Sequence, residues 1–188
     1  MLTRTQALEI LHSHMQSTNL RRHCYAVEAV MRALAKRFGG DEDKWGIVGL
    51  LHDGDYEETK SNPSEHTLKM VEWLKAAGEM DEEILNAILS HNYSHTGQSA
   101  PKTPMEWALY CCDELTGLIV AVVLVRPDKK LASTTAEAVQ KKWNQKAFAA
   151  GVNRKQIEQC EEKLGIPLPE FISIALSAMQ KKHQDLGL

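Results

Sequence analysis

The sequence has few cysteines and nothing that resembles a secretion signal. Its four cysteines form no C-x-x-C pair, so neither a cysteine zinc motif nor a disulfide framework is expected. The N-terminal segment MLTRTQALEI carries an early acid and no hydrophobic core, which is unlike a signal peptide. We therefore expect four reduced, mostly buried thiols and a cytoplasmic protein.

A long apolar run and a surplus of positive charge are also missing. The longest apolar run, Leu118 to Val125, is far shorter than the roughly 20 residues that span a bilayer, so no membrane partner is expected. The formal net charge of −3 gives no electrostatic reason to expect a nucleic-acid polymer as partner. With 43% apolar and 25% charged residues, the chain has the composition of a soluble globular protein.

Helical periodicity runs through the sequence, and no segment alternates convincingly with period two. The pattern is interrupted at Arg126-Pro127, because proline disfavours helix continuation. We predict an all-α fold with one helical domain over residues 1–126 and a helical extension, residues 127–188, packed on it. Exposed Trp and Met side chains in that extension would permit a homodimer.

One predicted helix start lies in the segment NPSEH, residues 62–66. Asn62 suits the cap position, Pro63 the first turn, and Glu65 the acid of a capping box. The sequence therefore predicts a helix from this point to about Gly78.

Four histidines and two aspartates fall where apolar periodicity predicts a buried face. His23 and His66 each precede apolar residues at spacings of four, seven, eight and eleven, and His91 follows two of them at three and four. Asp113 lies inside the apolar segment LYCCDELTGLIV, and VGLL runs directly into His52-Asp53. Six residues of the types that commonly bind metal ions are thus predicted to point inward together.

A metal ion would explain this buried set, because an unpaired buried charge is expensive and a cation pairs with imidazole and carboxylate at once. That donor combination suits divalent iron, manganese, zinc, nickel and cobalt. We expect one or two divalent ions, with iron or manganese first among them and magnesium as a further candidate.

The order His23, His52-Asp53, Asp113 on an all-helical chain resembles the HD superfamily of metal-dependent phosphohydrolases, over roughly residues 20 to 125. The segments LLHDGDYE, ALYCCDELTGLI, GLIVAVVLVRP and AFAAGVNR are similar to a bacterial HD subgroup with no settled substrate. The chain lacks the GYP signature and has HDGDY in place of HDIGK, which argues against cyclic-di-GMP as substrate.

The resemblance implies specific ligand roles. His23, His52, Asp53 and Asp113 would bind a first metal. His66 and His91 match the positions that add a second metal in two-metal subfamilies, with Asp53 bridging. It also implies an HD-type helical bundle and hydrolysis of a phosphate ester, of a nucleotide or small metabolite, by metal-activated water.

Two other functions stay open at this point. The same six-ligand arrangement occurs in myo-inositol oxygenase, so a diiron oxygenase of the HD superfamily is one alternative. A non-catalytic metal or ligand sensor is the other.

Further site candidates follow from proximity in sequence. Asp53, Asp55, Glu57 and His95 are the candidate catalytic residues: the acids after the HD pair could orient a ligand or move a proton, and His95 could act as an acid. If the helix carrying His91 continued, His95 could also replace His66 as a ligand. The candidate phosphate-binding cations are Arg22, Lys69, Arg126 and Lys129.

Overall fold

The computed structural model describes residues 1–188 and contains helices and no strand, which confirms the predicted all-α fold. A 3₁₀ turn, Leu131–Ser133, precedes the ninth α-helix. The α-helices are α1 (Arg4–His14), α2 (Thr18–Phe38), α3 (Glu42–Leu51), α4 (Tyr56–Thr59), α5 (Leu68–Ala76), α6 (Glu82–His91), α7 (Tyr93–Thr96), α8 (Pro104–Leu124), α9 (Ala136–Trp143), α10 (Arg154–Leu164), α11 (Leu168–Gln180) and α12 (His183–Leu186).

The two longest helices, α2 and α8, form the centre of the bundle. Helix α2 packs against α3, α8 and α11, and α8 packs against α6 and α10. The buried apolar side chains belong to one cluster that includes Val27, Ile119, Ile157 and Phe171. Residues on both sides of position 126 therefore share one core, and the division of the chain at that position stays a prediction.

Helix α8 is long and apolar enough to cross a membrane by length and composition. Of the most apolar 18-residue stretch of this helix, 61% is buried inside the protein. Its apolar residues are used in the core, which is the pattern of a central helix in a compact bundle.

All four cysteines are unpaired and buried, as expected. Burial raises the pKa of the Cys160 thiol to about 12 and those of Cys24 and Cys112 well above the ordinary value. The thiols are therefore protonated and packed as small apolar groups.

The helix predicted to start at Asn62 begins six residues later, at Leu68. Residues 60–66 form turns instead, and Thr67 has a left-handed φ of 71°, a costly conformation for a β-branched residue. The Asn92 side chain holds this loop, donating to the carbonyl oxygens of Pro63 (2.8 Å) and His66 (3.1 Å). His66 thus lies in a clamped loop and not on a helix face.

Gly49 allows α2 and α3 to approach closely. A Cβ at this position would lie 2.9 Å from the Cα of Glu28 and from the carbonyl oxygen of Val27, and backbone atoms cannot easily move away. The carbonyl oxygen of Gly49 also accepts a hydrogen bond from Nδ1 of His52 at 2.8 Å. The glycine therefore sets both the spacing of the two helices and the orientation of His52.

We expect Gly49→Ala to destabilise the protein by about 1–3 kcal/mol, because overpacking outweighs the better helix propensity of alanine. Thermal denaturation of the metal-free protein would measure this. Gly117→Ala is the matched control, since nothing lies within 4 Å of a Cβ there. Equal stability of the two variants would contradict the close-approach argument.

Candidate metal centre

The six predicted ligands converge on one spot although they come from five parts of the chain. His23 projects from α2, His52 and Asp53 follow α3, and His91 ends α6. His66 enters from the clamped loop and Asp113 from the middle of α8. Each side chain is buried or partly buried.

Asp53 stands at the centre with its two oxygens facing different histidines. Oδ1 lies 3.2 Å from Nε2 of both His66 and His91. Oδ2 lies 3.6 Å from Nε2 of His23 and 3.7 Å from Nε2 of His52. One carboxylate thus divides the four imidazoles into two pairs.

Asp113 lies beside the second of these pairs, His23 and His52. Its Oδ1 lies 2.8 Å from Nε2 of His23 and 3.4 Å from Nε2 of His52. Two sets of three ligand atoms, each within 4.8 Å of one another, could each hold a metal ion. These sets are His23, His52, Asp113 and His52, Asp53, His91.

Hydrogen bonds on the outer side of the rings orient two of the imidazoles inward. His52 uses Nδ1 on the Gly49 carbonyl oxygen, so its Nε2 faces the centre. His66 uses Nδ1 on Oδ1 of Asp55 at 2.7 Å, and Oδ2 of Asp55 accepts from the backbone N–H of Met70 at 3.1 Å. This is the arrangement by which proteins fix a ligand imidazole.

The carboxylates and imidazoles shift one another's pKa strongly. Burial acts to lower the pKa of His23, but the hydrogen bond to Asp113 and nearby carboxylate charges raise it to about 9. The same holds for His66. Burial acts to lower its pKa, but the hydrogen bonds to Asp53 and Asp55 raise it to about 9. Burial acts to raise the pKa of Asp53, yet the charge of His52 and bonds from His66 and His91 hold it well below its ordinary value.

The residues fit divalent metal ions. Nε2 of His52 and Nδ1 of His91 are buried and have no hydrogen-bond partner, and a buried polar atom without a partner costs about 1–3 kcal/mol. Four imidazoles and two carboxylates are the donor set of iron, manganese or zinc. A cation held by His23, His52 and Asp113 would supply the partner that Nε2 of His52 lacks.

A cavity of about 320 Å³ is lined by five of the six residues, and His52 lies buried behind them. The remaining wall is formed by Leu20, Tyr56, Ser94, His95, Glu114, Gly117 and Gln156. Sequence reasoning missed Glu114 and Gln156. The signals were present, since Glu114 adjoins Asp113 in an apolar helix and Gln156 precedes the buried Ile157, Cys160 and Leu164 at helical spacing.

The other candidate catalytic residues lie in different places. Asp55 is buried behind His66, where it acts on the ligand. Glu57 lies outside the cavity, and its Oε2 accepts from the backbone N–H of Gln16 (2.6 Å) and Ser17 (3.1 Å). His95 lines the cavity from α7, since α6 ends at His91. The structure brings His66, and not His95, to Asp53.

The structure does not bring the four candidate phosphate-binding cations to the cavity, which no Lys or Arg lines. Lys69 pairs with Glu58 at 3.4 Å, and Arg126 with Asp128 at 3.3 Å. Arg22 lies against Gly187 near the C-terminus, and Lys129 is exposed.

Replacing the carboxylate behind His66 should weaken metal binding selectively. In Asp55→Asn one oxygen becomes an N–H₂ donor, so the bonds to His66 and to the Met70 N–H cannot both form as they are. We expect about 10–100-fold weaker binding of one metal equivalent, measured by titration of chelator-treated protein. Glu57→Gln alters a carboxylate two residues away, outside the cavity, and should leave the affinity for both metal equivalents unchanged. Equal losses in both variants would contradict the role of Asp55.

The fold and the site define a class: a helical bundle with a buried His and Asp centre for divalent cations. The family model described as the HD domain matches residues 20–157. The chain belongs to this family, a metal-dependent hydrolase-type superfamily whose domains bind divalent metals. Comparisons with curated proteins and with solved structures find no match.

Proposed function

We propose that the protein is a metal-dependent phosphohydrolase that cleaves a phosphate ester of a small metabolite or nucleotide with a metal-activated water. The observation that carries this proposal is the division of the four histidines by the two oxygens of Asp53 beside an open cavity. Such a carboxylate suits two cations acting on one phosphoryl group.

The chain's own residues have distinct tasks in this reaction. His23, His52 and Asp113 would hold one ion, His66 and His91 the other, and Asp53 both. When bound, the ions would supply an activated water and neutralise phosphoryl charge. Asp55 and the Gly49 carbonyl keep Nε2 of His66 and His52 turned inward. The cavity beside them would hold the ester.

His95 is the proposed donor of a proton to the leaving oxygen. Its Nδ1 lies 3.2 Å from Oγ of Ser94, which leaves Nε2 available to a ligand in the cavity. An imidazole suits this task because its ordinary pKa lies near neutrality.

The test compares chelator-treated protein with the same protein reloaded with Mn²⁺, Fe²⁺ or Zn²⁺, using p-nitrophenyl phosphate and a panel of phosphate esters. We expect no phosphate release without metal and release after reloading, with iron or manganese most effective. Full activity in verified metal-free protein would overturn the proposal.

The six-ligand set also favours a second candidate, a diiron oxygenase. Iron at two equivalents per chain with substrate-dependent oxygen uptake would support it, and phosphate release without oxygen uptake would exclude it. Turnover of either kind would exclude a pure metal sensor. The cytoplasmic location, the small phosphorylated partner and the homodimer stay predictions from the sequence.

A further inference from the structure

The cavity wall contains a buried acceptor without a partner, on Gln156. Gln156 is 4% exposed, and its Nε2 donates to the carbonyl oxygen of Tyr110 at 2.7 Å. Oε1 of the same amide is buried and has no hydrogen-bond partner, and the residue lines the cavity. A buried amide oxygen of this kind indicates a missing donor.

Glu114 lies on the same wall and forms no ion pair with any Lys, Arg or His at 4.0 Å or less. Its Oε2 accepts one hydrogen bond, from the backbone N–H of Asn153 at 2.9 Å. Asn153 caps α10 through a bond to the N–H of Gln156 at 3.3 Å. The two acceptors are therefore joined through Asn153.

Arg154 holds the segment that precedes this wall in place. Its guanidinium donates to the carbonyl oxygens of Phe148 (2.7 Å) and Trp143 (2.9 Å) and, at 3.4 Å each, of Gln145 and Ala149. The start of α10 is thus anchored before any ligand arrives, so the two acceptors are preorganised.

Charge counting leaves Glu114 without compensation in a loaded site. Two divalent cations would bring four positive charges, whereas Asp53, Asp113, Asp55 behind His66 and a phosphate dianion already supply five negative charges. No Lys or Arg of the cavity then remains for Glu114. The cavity is about 320 Å³ in volume, and two of its 12 lining residues are hydrophobic, so it is at the small end of the range for ligand pockets.

We propose that Glu114 and Gln156 form a subsite for an ammonium group, and that the substrate is a small aminoalkyl phosphate ester. This inference rests on the proposed function for the position of the phosphate at the metal centre. The ammonium group would donate to Oε1 of Gln156 and to the open oxygen of Glu114.

The test measures binding of two isosteric phosphonates to metal-loaded protein by calorimetry. 3-Aminopropylphosphonate carries the ammonium group, and butylphosphonate has a methyl group in its place. We expect the amino compound to bind about tenfold more tightly, the size of a charged hydrogen bond at a partly exposed site. Equal affinities, tighter binding of butylphosphonate, or no binding of either would overturn the inference.

Variants of Glu114 and Gln156 then test whether these two residues cause the preference for the amino compound. Glu114→Gln keeps the acceptor for Asn153 and should reduce the preference to about twofold, without weakening the binding of butylphosphonate. Gln156→Met should weaken only the amino compound. Glu158→Gln, an exposed acid on α10, is the matched control and should change neither affinity. A loss in Glu158→Gln as large as in Glu114→Gln would refute the subsite.

Binding separates this inference from the proposed function. Preferential binding of the amino compound without hydrolysis of any ester would keep the subsite and reject the phosphohydrolase. Metal-dependent hydrolysis of p-nitrophenyl phosphate without preferential binding of the amino compound would keep the phosphohydrolase and reject the subsite.

Discussion

Asp53→Asn should remove both metal ions and lower phosphate release at least about a thousandfold. The amide that replaces the carboxylate has one neutral oxygen, so it can face only one of the two histidine pairs. Its N–H₂ group would point at imidazole nitrogens that need a cation. The carboxylate of Asp53 lies within 4.0 Å of all four imidazoles, and no other carboxylate of the cluster does.

Elemental analysis of protein prepared without chelator, combined with a phosphate-release assay, measures this outcome. Asp185→Asn, at an exposed position in α12, should behave as wild type. His66→Ala should lose about one metal equivalent, because it belongs to one pair only. Retention of both metals and of activity in Asp53→Asn would refute the shared-carboxylate arrangement.

Metal affinity and metal-free stability should respond to pH in opposite directions between pH 6.5 and about 9. In the metal-free fold the pKa values of His23 and His66 are about 9, raised from 6.5. Their protonated forms stabilise that fold fully below pH 6.5, and this stabilisation is lost as pH rises through 9. The difference corresponds to at most about 3 kcal/mol for each histidine.

A metal needs neutral imidazoles, so binding must expel these protons. We expect the apparent affinity of each site to rise about tenfold per pH unit in this range. Thermal denaturation of chelated protein from pH 6.5 to 8.5 measures the first effect. Calorimetry in buffers of different ionisation enthalpy counts the released protons. Metal affinity that does not vary with pH would contradict the shifted histidines.

Periodicity predicted much of the site because most ligands sit on regular helices. His23, His91 and Asp113 follow from apolar spacing alone, since a helix of 3.6 residues per turn fixes which face is buried. His66 was identified as inward-facing by the same rule, but the structure places it in a loop. There the inward position is enforced by Asp55 and Asn92, through contacts between residues distant in sequence.

The cavity wall could not be predicted in the same way. Gln156 reaches the site because α10 packs on α8, a tertiary contact with no local signal for which pocket it lines. Arg22, Lys69, Arg126 and Lys129 adjoin ligands or the ligand helix in sequence. Their long side chains turn to other partners or to solvent, which sequence proximity does not reveal.

The buried thiols make it possible to measure how often the helical bundle opens. Cys24 adjoins His23 on α2, Cys112 adjoins Asp113 on α8, and Cys160 is on α10, and none is accessible in the closed bundle. A thiol-specific reagent can modify them only in molecules whose helices have separated. The rate of that modification therefore reports how often the bundle carrying the metal centre comes apart, independently of any substrate.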